Sequence, residues 1–148
     1  MAIHITPFTK SAKVKASTKD GLIYIIKQEL KRQGPNADLN FIDVSEITDM
    51  SDLFRGLNIK NIKVNEWDTS NVINMRFTFV DCNLFVGDVS NWDVSNVKDM
   101  YSMFLDCKKF KCDLSGWDVS NVTSMLGTSK VFVGCHKMDK DLQPKFKN

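Results

Sequence analysis

Four aspartates, Asp43, Asp68, Asp93 and Asp118, recur at a constant interval of 25 residues. Carboxylates brought together can serve as a general acid and base, or as oxygen ligands for calcium. Repetition argues against catalysis, because a residue present in every unit serves the packing of units. Stacked carboxylates repel unless each accepts hydrogen bonds from nearby backbone or from Ser and Asn side chains. The aspartates are therefore read as structural, with a calcium-binding ladder as the alternative.

The thiols follow the same logic. Cys82, Cys107 and Cys135 share a repeat position that the first unit fills with Leu57. A place that accepts leucine is an apolar core place, and no CxxC pair or His-rich cluster supports zinc. Cys112 stands outside the pattern and is the one thiol expected to react. His4 and His136 are the only side chains that titrate near neutrality without a perturbed pKa, and neither lies in a recurring or Gly-rich setting. With no nucleophile elbow or phosphate loop, the sequence yields no catalytic, cofactor-binding or metal-binding residue, and the chain is read as not an enzyme.

The element that carries these residues is a repeat. Trp-Asp-(Thr/Val)-Ser-Asn-Val-x-x-Met begins at Trp67, Trp92 and Trp117, and a diverged copy with Ile42, Asp43, Ser45, Ile47 and Met50 precedes it. Before each Ser the side chains alternate, as in Trp67 and Thr69 against Asp68 and Ser70, which predicts a short strand. After it, apolar residues take helical spacing: Ile47, Met50, Leu53, Phe54 and Leu57; Val72, Met75, Phe79 and Cys82, with Thr78 as the polar exception; Val97, Met100, Met103, Phe104 and Cys107. Ser45, Ser70, Ser95 and Ser120, or the residue after each, are expected to cap these helices. Return segments follow at Phe85 to Val89, Phe110 to Leu114 and Met138 to Leu142.

In the fourth unit Val122 and Met125 keep phase, whereas Phe132 and Cys135 come three residues late. This places an insertion between Leu126 and Val131, with a loop at Gly127, Thr128, Ser129 and Lys130 as the candidate partner contact. No unit this small buries its own apolar face, so the units must stack through Met50, Met75, Met100 and Met125 and through Phe54, Phe79, Phe104 and Phe132. The three tryptophans are read as packed rather than as an exposed aromatic stripe, since Ile42 replaces Trp in the first copy. The fold expectation is an α/β solenoid of about four 25-residue strand–helix units with an N-terminal capping helix. Its segments are an arm at 1–17, a capping helix and turn at 18–37, and the repeats at 38–148. Thr18 should start the helix and Gly34-Pro35 stop it.

The fullest copy, Trp92 to Phe104, resembles the repeat of the BspA-like bacterial leucine-rich-repeat surface proteins. That resemblance implies a right-handed α/β solenoid, a bacterial or mobile-element origin, and binding of proteins at a cell surface or after secretion, with no catalytic residue. The amino terminus has no apolar stretch long enough for a signal-peptide core, which leaves an intracellular binding or inhibitory protein as the alternative and an unrecognised enzyme as the third. A net charge of +2 and a pI near 8.3 do not make the concentrated basic surface that nucleic acid requires. Basic residues gather at both ends, where they solubilise the stack or form an oriented docking surface. No run of about 18 apolar residues occurs, so no transmembrane helix is expected. The expected partner is a protein, bound by a monomer.

Overall fold

The computed structural model describes residues 12–123 and 125–147. Most of the expected arm, including His4, lies outside them. The described chain opens with strand β1, Val14–Lys15, which pairs in parallel with β2, Ile42–Asp43. Between them runs helix α1, Lys19–Gln33. The Thr18 hydroxyl accepts the Gly21 N–H at 3.0 Å and satisfies an orphan donor. Gly34, at φ 83°, ends the helix and donates to the Leu30 carbonyl at 2.8 Å. Leu22 and Ile26 are fully buried, so α1 lies over the first repeat.

The expected right-handed, leucine-rich-repeat-like α/β solenoid of strand–helix units does not form. Beyond α1 the regular elements are the two-residue strands, a four-residue helix α2 (Met125–Thr128) and a 3-10 turn at Lys140–Leu142. Each repeat is instead a rung of consecutive turns. The reason lies in where the backbone donors go. Met50, Asp52, Phe54 and Gly56 give their N–H groups to Asn74, Arg76, Thr78 and Val80 in the next repeat, at 2.8–3.0 Å, rather than to a carbonyl one helical turn back. The N–H groups that do not join this ladder close four-residue turns, such as Leu53 N–H to the Met50 carbonyl and Leu57 N–H to the Phe54 carbonyl. Left-handed residues recur twice per rung: Asp52, Phe77, Ser102 and Lys130 at one place, Gly56, Asp81, Asp106 and Gly134 at another. No α-helix tolerates that alternation.

The same pattern continues from Phe77, Phe79 and Asp81 to Tyr101, Met103 and Leu105, and from Ser102, Phe104 and Asp106 to Ser129, Val131 and Val133. All these bonds run one way, N–H toward the carboxyl-terminal neighbour. In the first three rungs the apolar residues named above point inward, with Met50, Met75, Met100, Phe54, Phe79 and Phe104 all at 0% exposure. Phenylalanine rings stack along the core, Phe54 on Phe79 and Phe79 on Phe104 at 5.2 Å, then Phe104 on Phe132 at 5.6 Å.

The fourth rung departs from the expectation. Val122 keeps the turn geometry of Val97, but Met100 donates to Gly127 where Met75 donates to Asp99. The register therefore shifts between Val122 and Gly127, before most of the 126–131 stretch, and Met125–Thr128 form α2 rather than a loop. Met125 is carried out of the core to 89% exposure, and by register Thr128 takes the place the other methionines hold.

Candidate protein-binding face

The residues repeated in every unit are engaged with their neighbours. The indole N–H groups of Trp67, Trp92 and Trp117 donate to the carbonyls of Leu39, Val64 and Val89, at 2.8, 2.9 and 3.2 Å. The rings are buried, and Trp67 stacks on Trp92 at 5.9 Å. Asn71 and Asn96 donate to the carbonyls of Ser45 and Ser70 one rung back, both at 2.7 Å. Asn121 reaches Ser95 in the same way.

The serines expected as helix caps sit inside turns instead. Ser45, Ser70, Ser95 and Ser120 each give the backbone N–H to the carboxylate two residues earlier, that of Asp43, Asp68, Asp93 and Asp118, at 2.9–3.1 Å. Hydrogen bonds from the serine hydroxyls, and after them from these backbone N–H groups, hold the carboxyls of Asp43, Asp93 and Asp118 below the ordinary range. Each aspartate thus closes its own turn. Among the described residues, no three His, Cys, Asp or Glu side chains converge to hold a metal ion.

The thiols of Cys82, Cys107 and Cys135 lie in the core and donate to the carbonyls of Phe54, Phe79 and Phe104, at 2.9–3.0 Å. Burial pushes Cys82 up to about 12 and Cys135 to about 11, and raises Cys107 likewise. Cys112 is half-buried beside Asp88, and burial raises it too.

A different set of residues breaks the repetition. At the first left-handed position the rungs carry Asp52, Phe77, Ser102 and Lys130; one place earlier they carry Ser51, Arg76, Tyr101 and Ser129. Phe77 holds φ 57°, a conformation that a bulky side chain rarely adopts and that costs on the order of 1–3 kcal/mol. Its ring meets Tyr101 edge-on at 5.3 Å. The guanidinium of Arg55 stands 5.2 Å from the Phe77 ring centre; that of Arg76 stands 5.5 Å from Phe77 and 5.0 Å from Tyr101. Each such contact contributes about 0.5–1 kcal/mol near solvent. Asp52 pairs with Arg55 at 3.1 Å in an exposed contact, and Asp99 pairs with the more buried Arg76 at 2.9 Å. Reading the repeat for its constants missed this cluster. The signal lay in the unlike residues at matched positions.

The expected contact loop is partly withdrawn: Gly127 is buried, Thr128 and Ser129 are half-buried, and Lys130 is exposed. His136 is exposed and belongs to no cluster. At the opposite end a groove of about 920 Å³ opens between β1 and the end of α1, lined by Val14, Glu29, Arg32, Phe41 and Glu66 among others. Hydrogen bonds from Arg32 and Gln33 hold the Glu29 carboxyl below its usual range.

Residues 26–145 match a family described as Mycoplasma protein of unknown function, DUF285. The chain belongs to the DUF285 family. No curated protein and no solved structure matches it. The DUF285 segment takes in the second half of α1 and all four rungs, so the constant residues that join the rungs and the Phe77 cluster both lie within it. No described helix is long and apolar enough to cross a membrane.

Proposed function

We propose that this DUF285 chain is a non-enzymatic, protein-binding repeat module, related to the BspA-like bacterial surface proteins whose repeat its own resembles. The observation that carries this reading is the Arg55–Phe77–Arg76–Tyr101 cluster. Arginine and aromatic side chains dominate the energetics of protein contacts, because they combine apolar area with directed polar groups. Here they are already ordered by ion pairs and ring contacts, which lowers the entropy lost on binding. The rung requires the left-handed backbone at this place in every unit but no aromatic side chain there, since Asp52, Ser102 and Lys130 also occupy it. Retaining a strained aromatic at the surface fits a contact role.

A paired capture from lysate of the native host tests this, with wild type against Phe77→Ala and circular dichroism to confirm folding. A partner retained by wild type and lost from the folded variant is the expected result. Equal recovery with both proteins would remove the cluster from the contact face. Fractionation of the same host, with a cell-surface location expected, tests the relation to surface proteins.

A further inference from the structure

Backbone bonds between rungs run both ways elsewhere, as from Ile73 to Thr48 and Lys98 to Ile73, but in the segment matched to Met50–Gly56 they run one way and leave a defined chemistry at one end. In rungs one to three, matched N–H groups point to the carboxyl-terminal side and find carbonyls there: Asp52, Phe77 and Ser102 at one place; Phe54, Phe79 and Phe104 at the next; Gly56, Asp81 and Asp106 at the third. Lys130, Phe132 and Gly134 occupy these three places in the fourth rung, and Lys130 and Gly134 keep the left-handed φ of 57° and 78° that the places share. Their N–H groups meet no carbonyl among the described residues. The fourth rung therefore presents a row of parallel backbone donors, spaced at every second residue.

Beside that row the surface is apolar, with Lys130 as its positive charge. Val133 is 54% exposed, and Phe132 is only partly buried although its ring ends the phenylalanine stack. Leu126 and Met125, on the α2 that leads into this edge, are 55% and 89% exposed. Lys130 stands exposed on the edge itself, while the Asp106 carboxylate of the preceding rung lies against Gly134 at the far end of the row. A row of parallel amide dipoles adds partial positive charge of the same sign.

We propose that this edge binds an extended acidic segment of a partner protein, whose alternate carbonyls continue the ladder as a further rung would. The contact between the third and fourth rungs supplies the hydrogen-bond geometry, and the exposed Lys130 supplies the charge preference. Main-chain bonds of this kind give affinity while the alternating side chains give selectivity. Lys130 occupies the same left-handed place as Phe77, two rungs further on, and the row of donors includes no residue of the Phe77 cluster.

The test uses the full chain and a dye-labelled heptapeptide of alternating Glu and Val, with a Lys/Val heptapeptide for comparison. Fluorescence anisotropy reads binding, and amide hydrogen exchange by NMR reads its place. The Glu/Val peptide should bind in a salt-sensitive manner and slow exchange at Lys130, Phe132 and Gly134. Lys130→Glu should weaken it about tenfold, and Tyr24→Ala, on the outer face of α1, should leave it unchanged. Absence of Glu/Val binding, equal binding of the Lys/Val peptide, or binding without protection of those amides would overturn the proposal. The exchange measurement is made on wild type, so it decides the matter even if Lys130→Glu folds poorly. A defined peptide is the ligand, so failure here leaves the Phe77 face standing.

Discussion

Replacing Phe104 with Ala tests whether the rungs hold together as a single core. The side chain is fully buried and lies against four rings: Phe79 at 5.2 Å, Phe110 at 4.4 Å, Phe132 at 5.6 Å and Trp117 at 6.3 Å. Truncating a buried phenylalanine costs about 3–5 kcal/mol through lost transfer energy and the cavity left behind. The neighbours above and below are clamped by ladder bonds and cannot collapse into the space, and well-stacked ring pairs add about 0.5–1.5 kcal/mol beyond their area. The loss should therefore fall near the top of the range, about 4–5 kcal/mol. In urea, with a slope of about 2 kcal/mol per molar, the midpoint should fall by about 2 M. Phe132→Ala provides the internal standard. That ring is partly exposed and has one ring neighbour, so its truncation should cost less than half as much. A Phe104 loss below about 1 kcal/mol, or a Phe132 loss as large as that at Phe104, would refute the core as described. Should Phe104→Ala fail to fold, Phe104→Leu reads the same ranking at smaller cost.

Four further outcomes follow from the geometry. Trp92→Phe removes the donor to the buried Val64 carbonyl and should destabilise by about 1–3 kcal/mol in urea melts; a neutral effect would mean the indole bond contributes nothing. The folded-state pKa of Asp93 is depressed by its bonds to Ser95, so its stabilisation is present above the ordinary carboxylate range and fades as pH falls through the folded value. Asp93→Asn, titrated in urea from pH 7 downward, should flatten that acid limb, and an unchanged limb would place the titration elsewhere. Native thiol labelling should modify Cys112 before Cys82, Cys107 and Cys135, which react only on unfolding; early modification of Cys107 would contradict its burial. Gly134→Ala meets two obstacles, a φ of 78° and a Cβ position 2.2 Å from an Asp106 carboxylate oxygen, so its thermal midpoint should drop well below that of Gly116→Ala, where space is open.

The repeat period, the inward residues and α1 were legible because burial leaves a direct mark on residue type. Val72, Met75, Phe79 and Cys82 read as one buried stripe from sequence, and all four are buried. The secondary structure was not legible. Apolar residues three and four apart suit a helix, but a chain that turns every third residue also brings Met50, Leu53 and Phe54 to one side. What separates the two is the destination of the backbone N–H, which lies about 25 residues away and has no local signature. Asp52, Phe77 and Ser102 further hid the left-handed positions, because glycine is the residue that normally betrays them. Met125 misled for a related reason: it keeps sequence phase, while the structural phase shifts just before Gly127. The Phe77 cluster escaped because it is defined by departures from the repeat.

The ladder between rungs also decides how this protein should respond to mechanical load. Its inter-rung bonds lie along the stack, so tension applied at the two ends strains them in series and opens the weakest rung first, instead of shearing many bonds together. Each release would free one 25-residue unit, with a contour gain of about 80–90 Å at full extension. Pulled in an optical trap, the molecule should lengthen in small, nearly equal steps at low force. It would behave as a yielding tether that gives up length one rung at a time.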